Sequence, residues 1–131
     1  MKILFLGDVV GLSGCRKIIN DLSIQIQKNN IDFVIINGEN ADDTGVGLTK
    51  EICKDFFENG VDVITTGNHV WDQKDIMNFI DKENRLLRPK NLFEPAPGRG
   101  FEIYETKNNY RVGVLNLMGN VFMKKCDDVF K

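Results

Sequence analysis

Three short apolar runs, at residues 3–6, 31–36 and 61–65, constrain this fold more than any other feature. Each is strand-length and bounded by polar or turn-forming residues, and the intervening segments place apolar residues at helical spacing. Residues 15–28 carry Ile18, Ile19, Leu22 and Ile26 on one helical face, and Asn29-Asn30 ends that helix. Thr49 caps a second helix whose buried face holds Ile52, Cys53, Phe56 and Phe57, and Asn59-Gly60 stops it. Past the third run, Asp72 reads as the cap of a helix carrying Ile76, Met77, Phe79 and Ile80. Strand and helix alternating over short connections predict an α/β fold of right-handed βαβ units on a parallel sheet. Residues 3–6, a continuous apolar run, read as a strand buried on both faces.

After Ile80 the pattern changes. Residues 85–89 form a short extended piece, and Pro89, Pro95, Pro97, Gly98 and Gly100 mark an ordered loop. Residues 101–104 and 112–117 flank Asn108-Asn109 as a β-hairpin, and residues 118–131 show no clear period.

The chain's 131 residues predict one domain. With 17 basic against 19 acidic residues, the net charge of −2 leaves no basic footprint for duplex nucleic acid. A small nucleotide stays open, because a metal can supply the positive charge. Cys15, Cys53 and Cys126 are odd in number and form no CxxC pair, which points to reduced thiols in a cytoplasm. The first apolar run is too short for a signal-peptide core or a membrane span, so a cytoplasmic protein with no membrane contact is expected.

The strand ends carry the chemistry. Asp8 follows the first strand, Glu39 and Asn40 the second, and Asn68 and His69 the third. Ligands of open α/β sheets bind beyond the carboxyl ends of the strands. Taken singly, Asn68 is a turn residue and His69 a helix cap. Together the three ends form a site. Glu39 suits a carboxylate that bridges two divalent ions, and Asp8 a terminal ligand. Asn40 and Asn68 offer neutral carbonyl oxygens, and His69 suits the donor of a proton to a leaving oxygen. The glycines after the first strand match neither a dinucleotide fingerprint nor a phosphate-binding Walker loop. The acids of residues 42–48 do not match an EF-hand.

The blocks Gly7-Asp8-Val9-Val10-Gly11, Asn37-Gly38-Glu39-Asn40-Ala41, Thr66-Gly67-Asn68-His69-Val70-Trp71-Asp72 and Leu86-Leu87-Arg88-Pro89 closely resemble the YmdB-like branch of the bacterial calcineurin-like metallophosphoesterases. Asn116-Leu117-Met118-Gly119 and the stretch from Phe122 to Asp128 continue the resemblance, so it runs over essentially the whole chain. It implies a calcineurin-like metallophosphoesterase fold, a βαβαβ start plus hairpin, with the C-terminal part missing. Residues 1–131 would be its N-terminal portion. It implies a two-metal phosphodiesterase, usually of iron or manganese, acting on 2′,3′-cyclic nucleotides or another small phosphoester. Asp8, Glu39, Asn40 and Asn68 then fall on metal ligands and His69 on the proton donor. The family completes its site with later histidines, and this chain has no second histidine. Two ions require on the order of ten ligand positions, so weak binding of one metal and little turnover by this chain alone are expected.

A non-catalytic half-domain, acting as a binding or regulatory module or completed by a second copy or another chain, is the alternative. A doubly wound nucleotide-binding domain accounts for the βαβ pattern but not for the acids at the strand ends. Elsewhere, Trp71 reads as packing under the site loop, and Arg88 and Arg99 as partners of surface acids. Asp42, Asp43, Asp127 and Asp128 read as solvated charges, and Thr66 as a support of the site loop.

Overall fold

A computed structural model describes residues 1–92, 95–123 and 125–130. Strands β1 (Ile3–Leu6), β2 (Phe33–Asn37), β3 (Val63–Thr65) and β4 (Leu86–Leu87) form one sheet in the order β1-β2-β3-β4. Every pairing in it is parallel. Helix α1 (Gly11–Asn29) joins β1 to β2, and α2 (Lys50–Glu58) joins β2 to β3. Strands β5 (Phe101–Glu105) and β6 (Arg111–Leu115) make a separate antiparallel hairpin.

The side-chain alternation of the strands sorts the core into two clusters. Val34, Ile36, Ile64 and Leu86 face the helices, where they meet Leu22, Cys53 and Phe56. Phe33, Val63 and Leu87 face the other way, onto Val112 and Val114 of β6. The sheet is therefore sandwiched between helices and hairpin, as continuous apolar runs require. Strand β1 departs from its expected burial. Leu4 and Leu6 pack on the helix side, but Ile3 and Phe5 are 44% and 60% exposed, because β1 is the sheet's edge and the hairpin packs on β2–β4. Phe101, Ile103 and Leu115, on the outer face of the hairpin, are likewise exposed.

Several boundaries also move. Helix α1 begins at Gly11, four residues before the expected start, since Gly11 N–H is satisfied by the Asn40 carbonyl at 2.9 Å. It ends as expected, on Asn30 in the left-handed region. Thr49 caps α2 as read, accepting from Ile52 N–H at 3.3 Å. The segment after Asp72 is a short 3-10 helix, Lys74–Asn78, and not an α-helix. Asp72 does not cap it. Gln73 occupies the cap position and sends its amide to Asp42 and to the Val46 carbonyl instead. Asp42 is thereby half-buried, not simply solvated, whereas Asp43, Asp127 and Asp128 are exposed.

Arg88 is no surface residue: it is 2% exposed, its guanidinium donating to the carbonyls of Pro89, Ala96 and Pro97. Arg99 does pair with an acid, Glu102, at 2.7 Å. Burial pushes up the thiols of Cys15 and Cys53, as suits packing residues without a nucleophilic role.

Glu83 carries a pH dependence. Burial opposes its ionisation, but hydrogen bonds from the Arg85 side chain and backbone outweigh that and hold it below the ordinary carboxylate value. Arg85 itself lies over the Phe57 ring, 3.8 Å from its centroid. Because the folded pKa is lowered, the stabilisation is present above the ordinary value of 4.5 and is lost as pH falls through the folded one. Solvent screening limits it to about 0.5 kcal/mol. Urea titrations of wild type and Glu83→Gln are expected to differ at neutral pH and to converge in acid; a constant gap would refute the assignment.

Candidate metal centre

Register brings the three strand ends side by side. Leu6 pairs with Ile36, and Asn37 with Thr65, so the loops after β1, β2 and β3 leave the sheet at neighbouring points. The first two loops are laced together. Val9 N–H donates to the Asn37 carbonyl at 3.0 Å, and Val10 bridges to Asn40. Asp8 turns between them with φ of 42°, a conformation that Asp tolerates better than most residues and that the surrounding bonds hold in place.

Asn40 Nδ2 donates to Asp8 Oδ1 at 2.7 Å. That bond orients the amide and leaves Asn40 Oδ1 as an acceptor. Asn40 Oδ1 is buried without a hydrogen-bond partner among the described residues, and so is Glu39 Oε2. Two buried oxygens without donors are costly unless something positive satisfies them. The Glu39 carboxylate lies directly against Gly67, leaving no room for a Cβ there. Gly67 thus ties the second strand end to the third, where Asn68 and His69 follow it.

The third loop is a tight turn, with Val70 N–H donating to the Gly67 carbonyl and Asp72 N–H to that of His69. His69 Nδ1 lies 2.6 Å from Asp72 Oδ2. Thr66 supports the loop as expected, its hydroxyl donating to the Leu87 carbonyl. Asn116 adds a brace that motif reading missed: its Nδ2 donates to the carbonyls of Thr66 and Leu87 at 2.8 and 3.0 Å. Trp71 packs against the helix-side core, in keeping with its structural reading.

Asp8 and Asn40 are therefore in contact, and Glu39 is packed on the residue that precedes Asn68 and His69. Among the described residues no three His, Cys, Asp or Glu side chains form a group that could hold an ion. The donor set is two carboxylates and two amides, oxygen donors all. It fits a hard divalent cation and covers only part of a coordination sphere. Gly67 and Asp72 escaped the reading of candidate residues. A glycine's role in admitting a carboxylate leaves no trace in sequence, whereas the three-residue spacing of His69 and Asp72 was a usable signal.

A parallel sheet covered by helices on one face and a hairpin on the other, with polar residues at its carboxyl ends, places the chain in the α/β class. Residues 4–131 match the family described as YmdB-like protein, and the chain belongs to that family. It is 44% identical over 131 residues to the 2′,3′-cyclic-nucleotide 2′-phosphodiesterase of Bacillus subtilis, a match covering 99% of this chain and 48% of the relative. Among solved structures it resembles a hypothetical protein from Thermus thermophilus at 35% identity and a TM-score of 0.89. It also resembles a novel phosphatase from Mycoplasma pneumoniae at 33% identity and a TM-score of 0.88. The matches cover 99% of this chain and 50% and 48% of those chains. The chain spans about half the length of the relatives it matches.

Proposed function

We propose that this chain supplies part of the site of a metal-dependent phosphodiesterase acting on 2′,3′-cyclic nucleotides or a closely related small phosphoester. The observation that carries the reading is the pair of buried oxygens without donors, Glu39 Oε2 and Asn40 Oδ1, set among strand-end ligands. Glu39 would be the ligand shared by the cations, Asp8 would be a further carboxylate ligand, and Asn40 and Asn68 would add carbonyl oxygens. Divalent ions held there, iron or manganese in this reading, would supply Lewis-acid charge against the phosphoryl oxygens. His69 gives a proton to the leaving oxygen as the ester breaks. The name of the Bacillus relative supports the substrate class. A cavity of about 540 Å³ beside Asn68, walled by Trp71, Met77, Leu92 and Met118, gives room for the organic part of the ester.

The remaining ligands would come from outside this chain, so little turnover by the 131-residue chain is expected. No helix among the described residues is long and apolar enough to cross a membrane. Three free cysteines fit the cytoplasmic location that this reading assumes.

The test is calorimetric titration of the 131-residue chain with manganese, paired with an assay of 2′,3′-cyclic AMP hydrolysis. Glu39→Gln keeps the side chain's shape and removes its charge. Wild type is expected to bind manganese weakly, and the variant about tenfold or more weakly still. Equal affinity in the two proteins would overturn the reading.

A further inference from the structure

The pairing of His69 with Asp72 does more than cap a turn. The chain has a single histidine, and its Nδ1 meets Asp72 Oδ2 at 2.6 Å, in the range of charge-assisted hydrogen bonds. The contact joins residues three apart across a turn that two backbone hydrogen bonds close, Val70 N–H to Gly67 and Asp72 N–H to His69. The backbone thus presets the distance, so little chain entropy is lost in making the contact. Both side chains are about one-third to two-fifths exposed. The pair therefore adds little to global stability. Its effect falls on the ring.

An ionised carboxylate only accepts hydrogen bonds. A ring nitrogen held against one carries the proton, and in the neutral ring the other nitrogen is then the acceptor. We propose that Asp72 is the positioning residue for His69, fixing its ring and its tautomer so that Nε2 is the nitrogen presented to the substrate. The inference rests on the phosphodiesterase reading for the identity of that substrate, but not for the tautomer. In that reaction the attacking water forms the new P–O bond and releases a proton to solvent. The electron pair of the breaking P–O bond stays on the leaving oxygen, which takes its proton from Nε2. The ring that remains is neutral with its proton on Nδ1, the form that the Asp72 carboxylate favours. One contact thus orients the donor beforehand and stabilises what it becomes.

The experiment is long-range nitrogen–proton NMR of the metal-free 131-residue chain, at a pH where the ring is neutral. One histidine gives one set of ring signals, with no assignment to make. Wild type is expected to show the proton on Nδ1. Asp72→Ala should shift the ring to the Nε2–H form, and Asp72→Asn, which keeps an acceptor oxygen, should restore part of the Nδ1–H population. Backbone amide spectra of both variants establish that they are folded, and Asp72→Asn serves if Asp72→Ala is not. An Nε2–H ring in wild type, or no change in a folded variant, would overturn the proposal. The readout is independent of turnover. An Nδ1–H ring in a chain without manganese affinity would sink the phosphodiesterase reading and leave the positioning of His69 by Asp72 standing.

Discussion

Gly67→Ala is expected to leave the chain folded and to strip it of divalent-cation affinity. The φ of Gly67 is not in the left-handed region, so its backbone accepts alanine without strain. What the new methyl meets is the Glu39 carboxylate, the far end of a flexible side chain. That group swings aside at small cost, and the unfolding midpoint should move by no more than a few degrees. The carboxylate cannot keep its place, however, and the proposed bridging ligand leaves with it. Manganese affinity should fall by about tenfold or more. Gly100 makes the contrast, since a Cβ there would meet the backbone of Lys90, which has no such freedom. Calorimetric titration beside thermal unfolding separates the two effects. Unchanged affinity in folded Gly67→Ala would mean that Glu39 does not bind the ion.

The second large effect is on stability. Arg88→Ala is expected to cost roughly 3 kcal/mol. Its guanidinium is buried and reaches the Pro97 carbonyl through Nε at 3.0 Å, Pro89 through Nη1 at 3.0 Å and Ala96 through Nη2 at 3.1 Å. A weaker contact runs from Nη1 to the Lys90 carbonyl at 3.4 Å. Alanine removes these hydrogen bonds from a buried position and opens a cavity where the side chain lay. Arg88→Lys should recover only part, because an ammonium cannot reproduce the planar fork that spans carbonyls from residues 89 to 97. Urea unfolding reads the loss as a lowered midpoint at unchanged slope. A loss below about 1 kcal/mol in Arg88→Ala would show that the loop keeps its shape without the side chain.

Much of this architecture was legible in the sequence. The three parallel strands, the first two helices and the hairpin announced themselves by period and by caps such as Thr49 and Asn30. The strand-end residues announced themselves by type. What was not legible depends on neighbours far along the chain. An apolar run of four looks the same whether both faces are covered or one, so the exposure of Ile3 and Phe5 appears only once β1 is seen to be the sheet's edge. Strand β4 is two residues long, and its partners, β3 and a bridge to Arg99, both lie away from it in sequence. The spacing of Ile76, Phe79 and Ile80 suits an α-helix, yet Gln73 is drawn against the 42–46 loop and the segment tightens to a 3-10 turn. Arg88 looked solvated because nothing local shows that a loop closes over it. At the site, Asp8, Glu39, Asn40, Asn68 and His69 stood out by residue type and by their place at strand ends, whereas the seating of the Glu39 carboxylate against Gly67 left no sign in the sequence.

The Asn116 brace carries a consequence for the order of folding. Its amide reaches the Thr66 carbonyl from 50 residues away, so this brace on the exit of β3, added to the bonds Thr66 makes with Leu87, forms only once the hairpin has docked. Contacts that close such long loops bear an entropic cost before they stabilise anything, and they form late. The turn holding Asn68, His69 and Asp72 is therefore among the last parts of the molecule to settle and, on brief opening, among the first to loosen. Its backbone amides should exchange with solvent more readily than those of β2, even though the turn leaves the strand paired with β2. Asn116, the residue after β6, thus makes the ordering of the loop that carries Asn68 and His69 wait on the hairpin's arrival.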